Sequence, residues 1–338
     1  MPTLMQKTIG SGRDYSTPQT FENAITLGLV AADEAWEGLV YNDAEYTAAS
    51  TLLLISGQTT DATRTITLKC ATGQSFRDHA SVRSNALFYN ASNGVGLRIT
   101  GSYTYCVRVE TANVTLDGLQ ISAPDAGGGI GVQWTANAFT MRNCIVYARQ
   151  PLSISGGPSG ATMVNCLFVA RSGGLIGTAG GGTRFEFCTI VRTSSGGTVG
   201  TASYATLTVE NCAIFNFTTG FVAGTGGALA GGYNCTDLAS APGSNNQVSK
   251  TFSSQFENTA TDFRAKSTAT DLANGTPATS YATVDISNTA RDTTTPWIGC
   301  WEHASGGGGA SGQPTTKRWG GVPGMRIGGA SFGQGWVH

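Results

Sequence analysis

Four short stretches decide the fold of this 338-residue chain: MRNC at 141–144, MVNC at 163–166, FEFC at 185–188 and VENC at 209–212. The intervals between their cysteines are 22, 22 and 24 residues, running through Cys144, Cys166, Cys188 and Cys212. An apolar residue stands three places before each cysteine, and another stands two places after it. A fixed period of this length is typical of a solenoid in which each repeat forms one coil.

Asparagine precedes three of these cysteines, as Asn143, Asn165 and Asn211. Residues two apart on a strand share a face, but the apolar positions before and after the asparagine have opposite parity. Asparagine tolerates the left-handed αL conformation, and a single αL residue turns the chain and resets the alternation. The motif therefore predicts a strand, a one-residue corner and a second strand. Stacking at about 4.8 Å predicts a ladder of asparagine amides, interrupted at Phe187.

The eight cysteines are an even number, which is compatible with disulfides. Zinc sites use close pairs such as C-x-x-C, and this sequence has none. An even series of single cysteines instead predicts one inward column of buried, reduced thiols, with disulfides or a metal as the alternatives. We expect no metal site and no cofactor.

Composition narrows the possible partners. Charged residues are 12% of the chain and the net charge is −1, so binding to nucleic acid or to an anionic membrane is not expected. Hydrophobic residues make up 40%, which is too many for a disordered chain. The start, MPTLMQKTIG, has no apolar region of the kind that signals export, and no run of 18 apolar residues follows. We expect a protein made in the cytoplasm.

Coils of 22–24 residues with three short strands resemble the right-handed parallel β-helix of the pectate-lyase-like superfamily. The stretch IGSGRDYSTPQTFENAI at 9–25 is similar to the entry segment of that superfamily. The stretches DFRAKSTATDLANG at 262–275 and DISNTARDTTTPWIGCWEH at 285–303 resemble its closing segment. The resemblance implies an all-β solenoid of about ten coils with a short N-terminal capping helix, and it says almost nothing about function.

Three regions are expected along the chain. Residues 1–34 form an entry segment and cap, residues 35–303 the parallel β-helix, and residues 304–338 a glycine-rich linker with an extended docking tail. The tail carries large apolar residues that a solvated segment does not need, and we expect them to contact another surface: Trp319, Met325, Ile327, Phe332 and Trp336.

The carboxylates of the regular coils provide one candidate pair for catalysis. Glu186 and Glu210 occupy the same column in adjacent coils, which would place their carboxyl groups about 5 Å apart, as in a retaining glycosidase. The simpler interpretation is a pair of solvated glutamates near Arg142 and Arg184. We favour that interpretation and expect no catalytic residue.

A second column is expected to point outward and is apolar: Tyr147, Val169, Val191 and Phe215. A large exposed apolar strip usually marks a protein interface. The alternative is that the chain's own C-terminal segment covers the strip. Because parallel β-helices often pair three such faces around an axis, as in phage tailspikes, we favour a homotrimer.

Three classes of function fit these features. We favour a non-enzymatic virion protein of a phage, a trimeric capsid decoration protein of the cement or head-spike kind. Its expected partners are itself and the capsid proteins, with a position on the phage tail as the alternative. The second class is a tailspike or polysaccharide-degrading hydrolase or lyase that binds host surface glycans. A surface adhesin or carbohydrate-binding module is the third.

Overall fold

The chain forms a right-handed parallel β-helix, as a computed structural model shows. The structure describes residues 1–101, 105–123, 128–154, 159–176, 178–179, 181–202, 206–277 and 282–303. The chain divides into a compact unit, Met1–Ala304, and a second unit, Ser305–His338.

Four parallel sheets form the sides of the solenoid. Sheet A has nine strands, compared with about ten expected coils: Thr3–Ile9, Glu34–Val40, Ile66–Cys70, Val114–Asp117, Thr140–Arg142, Thr162–Val164, Arg184–Glu186, Thr206–Glu210 and Ala228–Gly232. Sheet B has eight strands: Tyr46–Ala48, Gly96–Ile99, Gln120–Ala123, Ile145–Ala148, Leu167–Ala170, Thr189–Arg192, Ala213–Phe215 and Cys235–Thr236.

Sheets C and D share the third side of the solenoid. Sheet C contains Leu53–Ile55, Tyr105–Val109, Ile130–Trp134 and Gln150–Ile154. Sheet D contains Thr178–Ala179, Thr198–Ala202 and Thr219–Ala223. The nitrogen of Leu152 donates to the carbonyl of Leu175, and the nitrogen of Leu175 donates to that of Val199. These bonds continue the stacking from sheet C to sheet D.

The corner between sheets A and B is a single left-handed residue in each regular coil. The φ angles are 54° at Asn143, 53° at Asn165 and 53° at Asn211, and Phe187 adopts 50° at the equivalent place. The residue after each corner is a fully buried cysteine of the main core. A corner of one residue explains why the inward parity changes between the two strands of each repeat.

Two short helices, Pro18–Glu22 and Leu29–Ala32, cover the N-terminal end of the solenoid. Thr17 caps the first of them, accepting a hydrogen bond from the Thr20 nitrogen at 3.1 Å, and Pro18 stands at its start. Gln19 accepts a bond from the Leu54 nitrogen at 2.7 Å, on the first strand of sheet C. The helix thereby satisfies an edge of the sheet that would otherwise be open.

Residues 252–277 and 282–303 form the closing segment, which packs against the outer face of sheet B. It contains helix Phe252–Gln255 and an antiparallel pair, Phe256–Asn258 with Asp262–Ala265. A loop between sheets A and B, with 3-10 helices at Phe76–Asp78 and Ala91–Asn93, contributes to the same cluster. None of the helices described here is long and apolar enough to cross a membrane.

Candidate functional site

The outer face of sheet A carries the two candidate carboxylates. Glu186 and Glu210 are register partners on neighbouring strands. Arg184 lies between them, with its Nε 3.1 Å from Oε2 of Glu186 and its Nη2 2.7 Å from Oε2 of Glu210. A single guanidinium group therefore binds both carboxylates, and it links two successive coils.

The exposure of the two glutamates differs from the expected solvated pair. The side chain of Glu186 is only 2% exposed, whereas that of Glu210 is 27% exposed. Val164, the register partner of Glu186 in the preceding coil, packs with Phe187 and with Ala282, so residues after the solenoid cover this part of sheet A. A retaining glycosidase needs both carboxyl groups to reach the sugar, and here only Glu210 is accessible.

Two similar ion pairs lie elsewhere on this face. Arg142 binds Asp117 at 2.9 Å, and Lys69 binds Glu37 at 2.7 Å, in each case between adjacent coils. The row that contains Glu37 is mostly threonine and stays in register from coil to coil: Thr67, Thr115, Thr140, Thr162, Arg184 and Thr208. On the outer face of sheet A, polar side chains of successive coils therefore contact one another.

The asparagine amides do not form the expected ladder, because they point toward other parts of the chain. The Nδ2 of Asn165 donates to the carbonyl of Val284 at 2.6 Å. Asn211 makes two bonds with Thr276, donating to its carbonyl at 3.2 Å and accepting from its nitrogen at 2.9 Å. Asn143 donates to Asp117 at 2.8 Å. Two of the three corners thus bind the closing segment.

Phe187, the residue that departs from the asparagine pattern, also binds the closing segment. The guanidinium carbon of Arg291 lies 4.0 Å from the centre of its ring. Nη2 of Arg291 donates to Oδ1 of Asn165 at 2.8 Å. Successive corners at Asn165 and Phe187 therefore form one binding site for a single arginine.

A buried network of charged side chains surrounds that arginine. Arg291 bonds Glu302 at 3.2 Å, and Arg83 bonds Asp285 at 3.3 Å. Asp285 is fully buried and accepts from the backbone nitrogens of Ser287, Thr289 and Glu302 at 2.7–2.8 Å. Burial raises the pKa of the Glu302 carboxyl and lowers the pKa of the Arg291 guanidinium. These hydrogen bonds offset the cost of removing the charges from water.

The cysteine column lies inside the corners. All eight cysteines are free thiols, and those at 144, 166, 188 and 212 have no exposed surface. The Sγ atoms bond carbonyl oxygens of the same or the preceding coil, for example Cys166 to Val164 at 3.3 Å. Burial raises the pKa of the Cys166 and Cys212 thiols well above its ordinary value. These thiols are packing groups in the described structure.

The apolar strip on sheet B is covered by the chain itself, which corrects the expectation of an exposed face. Val169, Val191 and Phe215 are fully buried. They belong to a cluster with closing-segment residues that include Phe256, Phe263, Ile286, Trp297 and Trp301. Tyr147 is half-buried, and its ring lies 4.8 Å from that of Phe88. Covering by the C-terminal segment was the alternative to a subunit interface, and the structure shows that covering.

The other predicted contact residues are in the C-terminal tail. Trp319, Met325, Ile327, Phe332 and Trp336 lie outside the described residues. Within the described ranges, no group of three or more His, Cys, Asp or Glu side chains is arranged to hold a metal ion.

Sequence reasoning missed the residues that hold the closing segment: Arg83, Asp285, Arg291 and Glu302. A signal was present, because charged residues are few in this chain and the closing segment concentrates several of them in DISNTARD and WEH. The contact partners of these residues could not be predicted from the sequence, because Arg291 is 126 residues away from Asn165.

Comparison with known proteins gives structural likenesses alone. No family model matches the sequence, and no curated protein matches it. Among solved structures, a pectin methylesterase from Aspergillus niger is 14% identical with a TM-score of 0.45, covering 72% of this chain and 75% of its own. Pectate lyase Pel9A is 11% identical with a TM-score of 0.45, covering 90% of this chain and 97% of its own. The fold assignment rests on the strand pairing described above.

Proposed function

We propose that this chain is a non-enzymatic structural protein of a phage particle, most simply a decoration protein on the capsid surface. The β-helix forms its rigid body, and residues 304–338 attach it to a neighbouring protein. The observation that carries this proposal is the way in which the chain's own segments cover the side of the solenoid. Such a body needs no partner to bury its apolar strip.

In this proposal the tail, residues 304–338, has a role that is separate from that of the β-helix. A glycine-rich segment loses about 1–2 kcal/mol of backbone entropy per residue on ordering. Full burial of a large apolar side chain returns about 1.5–3 kcal/mol, so residues such as Trp319 and Trp336 favour binding only if they find a surface. A capsid protein or a second copy of the chain would provide it. With the sheet B strip covered, a homotrimer would have to form through contacts outside that strip.

Truncation tests this proposal. A chain ending at Gly306 should fold as the full chain does, because the described core clusters extend no further than Trp301. It should fail to co-sediment with phage particles that bind the full chain. The double variant Trp319→Ala, Trp336→Ala in the full-length protein should show the same loss. If the truncated chain still decorates particles, the tail is not the attachment.

The glycan-degrading class is the second candidate, because Glu186 and Glu210 are adjacent in register, but the burial of Glu186 leaves only Glu210 accessible to a sugar. Host capsular or surface polysaccharide is the substrate to use, with chain length measured by gel filtration. The proposed structural role predicts no depolymerisation by the wild-type protein or by Glu210→Gln. Depolymerisation that disappears in Glu210→Gln would overturn it.

A further inference from the structure

The first strand of sheet A, Thr3–Ile9, has an edge that no strand pairs with in the described part of the chain. It pairs on one side with Glu34–Val40, with Thr3 donating to the carbonyl of Asp33 and Ile9 accepting from the nitrogen of Tyr41. In a parallel pair, alternate residues direct both backbone groups to the same side. Leu4, Gln6 and Thr8 therefore direct theirs away from the solenoid.

The chain's own residues bond the outward backbone groups of this edge at Thr8 alone among the described residues. At Thr8, the nitrogen donates to Asp14 at 2.8 Å and the carbonyl accepts from Tyr15 at 3.1 Å. No described residue bonds the outward backbone groups of Leu4 or Gln6. Pro2, the next outward residue, has no N–H to donate. The unpaired part of the edge thus comprises two residues with defined ends.

We propose that two copies of this chain pair through this edge, as antiparallel strands around a two-fold axis at Met5. Leu4 of each copy then lies opposite Gln6 of the other, and each such pair exchanges two backbone hydrogen bonds. The pairing ends where Pro2 meets the already occupied Thr8. The free edge is therefore complementary to itself.

The charges along the strands also fit this arrangement. Lys7 of one copy lies opposite Thr3 of the other and on the same face as Glu34, the register partner of Thr3. Thr3 is small enough for the lysine to reach across it to Glu34. Lys7 makes no ion pair with any residue described within its own chain. Because of the two-fold symmetry, the Lys7–Glu34 pair occurs twice in the dimer, and the two Lys7 side chains lie apart from each other.

Apolar exposure is concentrated at the same end of the molecule. Of the five large apolar side chains that are exposed among the described residues, four lie in the first 30 residues. Leu4 is 58% exposed on the free strand, and Leu27 and Val30 of the entry segment are 66% and 43% exposed. Native edges are usually protected by charges, prolines or bulges, and Leu4 provides no such protection.

The other end of the solenoid favours a closed pair over a filament. Ser244 bridges the last strand of sheet A at Gly232, and Gln247 bridges the last strand of sheet B at Cys235. A head-to-tail stack would need that end to be open. A self-complementary contact between N-terminal ends closes after two copies. This inference does not depend on the virion role.

A proline variant tests the backbone pairing. Gln6→Pro removes an N–H that the strand's own partner does not use, so circular dichroism should be unchanged. The dissociation constant of the full-length dimer, measured by analytical ultracentrifugation, should rise about 100-fold. Gln6→Ala retains the N–H and should dimerise as the wild type does. A monomeric or trimeric wild type, or a Gln6→Pro variant that dimerises normally, would overturn the proposal.

A charge exchange tests the register and does not rely on proline. Lys7→Glu and Glu34→Lys should each weaken the dimer about tenfold, because each places like charges together at two symmetric positions. The double variant should recover wild-type affinity. If the double variant is as weak as the single variants, the strands do not pair in this register.

Discussion

The guanidinium group of Arg291 stacks 4.0 Å from the ring of Phe187 and donates to Asn165, at two successive corners of the solenoid. The same arginine bonds Glu302 and the carbonyls of Trp297 and Gly299. Arg291 therefore holds parts of the closing segment to one another and also attaches that segment to the β-helix. The aromatic corner is thus a binding platform as well as a turn.

Removing this arginine should destabilise the protein strongly. Arg291→Met leaves the buried Glu302 without its cation, and breaking a buried ion pair in this way typically costs about 3–5 kcal/mol. Urea denaturation followed by fluorescence measures the change. Arg98→Met is the matched control, because Arg98 is 44% exposed and 3.9 Å from Glu45, and it should cost less than about 1 kcal/mol.

The two asparagine corners at 143 and 165 should differ in their sensitivity. A valine at either position is strained in the left-handed conformation, at a cost of about 1–3 kcal/mol. Asn143→Val removes one hydrogen bond, to Asp117, whereas Asn165→Val removes two, to Val284 and to the buried Arg291, so Asn165→Val should be more destabilising by about 1–3 kcal/mol. Equal losses in the free energy of unfolding would mean that the bonds of Asn165 to the closing segment do not stabilise the protein.

The ion pairs on sheet A should not be equivalent. Arg184→Met removes the cation bound to the buried Glu186 and to Glu210, and we expect a loss of about 2–4 kcal/mol. Arg142→Met removes a cation that is 47% exposed and should cost no more than about 1 kcal/mol. Thermal unfolding of both variants compares them. Similar midpoints would show that the Glu186 ion pair is no stronger than a surface pair.

The buried thiols predict a loss of stability at alkaline pH. Burial raises the pKa of Cys106 and of Cys300 from 9.0 to about 12. The unfolded chain ionises these thiols above pH 9 while the folded chain does not, so stability is fully present below pH 9 and falls toward pH 12. Within that window, each thiol lowers the free energy of unfolding by about 1.4 kcal/mol per pH unit.

Denaturation in reducing buffer at pH 8 and at pH 10 measures this loss. The double variant Cys106→Ala, Cys300→Ala serves as the control for the other groups that titrate in this range. Its stability should fall less between the two pH values than that of the wild type. An identical fall in both proteins would show that these thiols ionise alike in the folded and unfolded chains.

The sequence was sufficient for local features of the fold. The position of Asn165 before Cys166 indicated both the corner and the buried thiol, because a corner and its neighbours lie within a few residues. The contact of Arg291 with Asn165 spans 126 residues, and no period of the sequence reveals it. Val191 shows a further limit: an apolar outward position indicates that something covers it, but not whether the cover is another subunit or the same chain.

The closing segment has a consequence for how the protein is made. The strands of sheet B whose outer face carries Val169, Val191 and Phe215 are complete by Phe215, but the closing segment that covers these side chains begins at Phe252 and contributes core residues as far as Trp301. During synthesis the ribosome must add roughly 85 further residues after that face has formed, which takes about 4–17 s at 5–20 residues per second. Throughout this interval the nascent solenoid exposes Val169, Val191 and Phe215. Neighbouring chains on one polysome are therefore prone to aggregate through sheet B, and termination before Phe252 would leave that face without its closing segment.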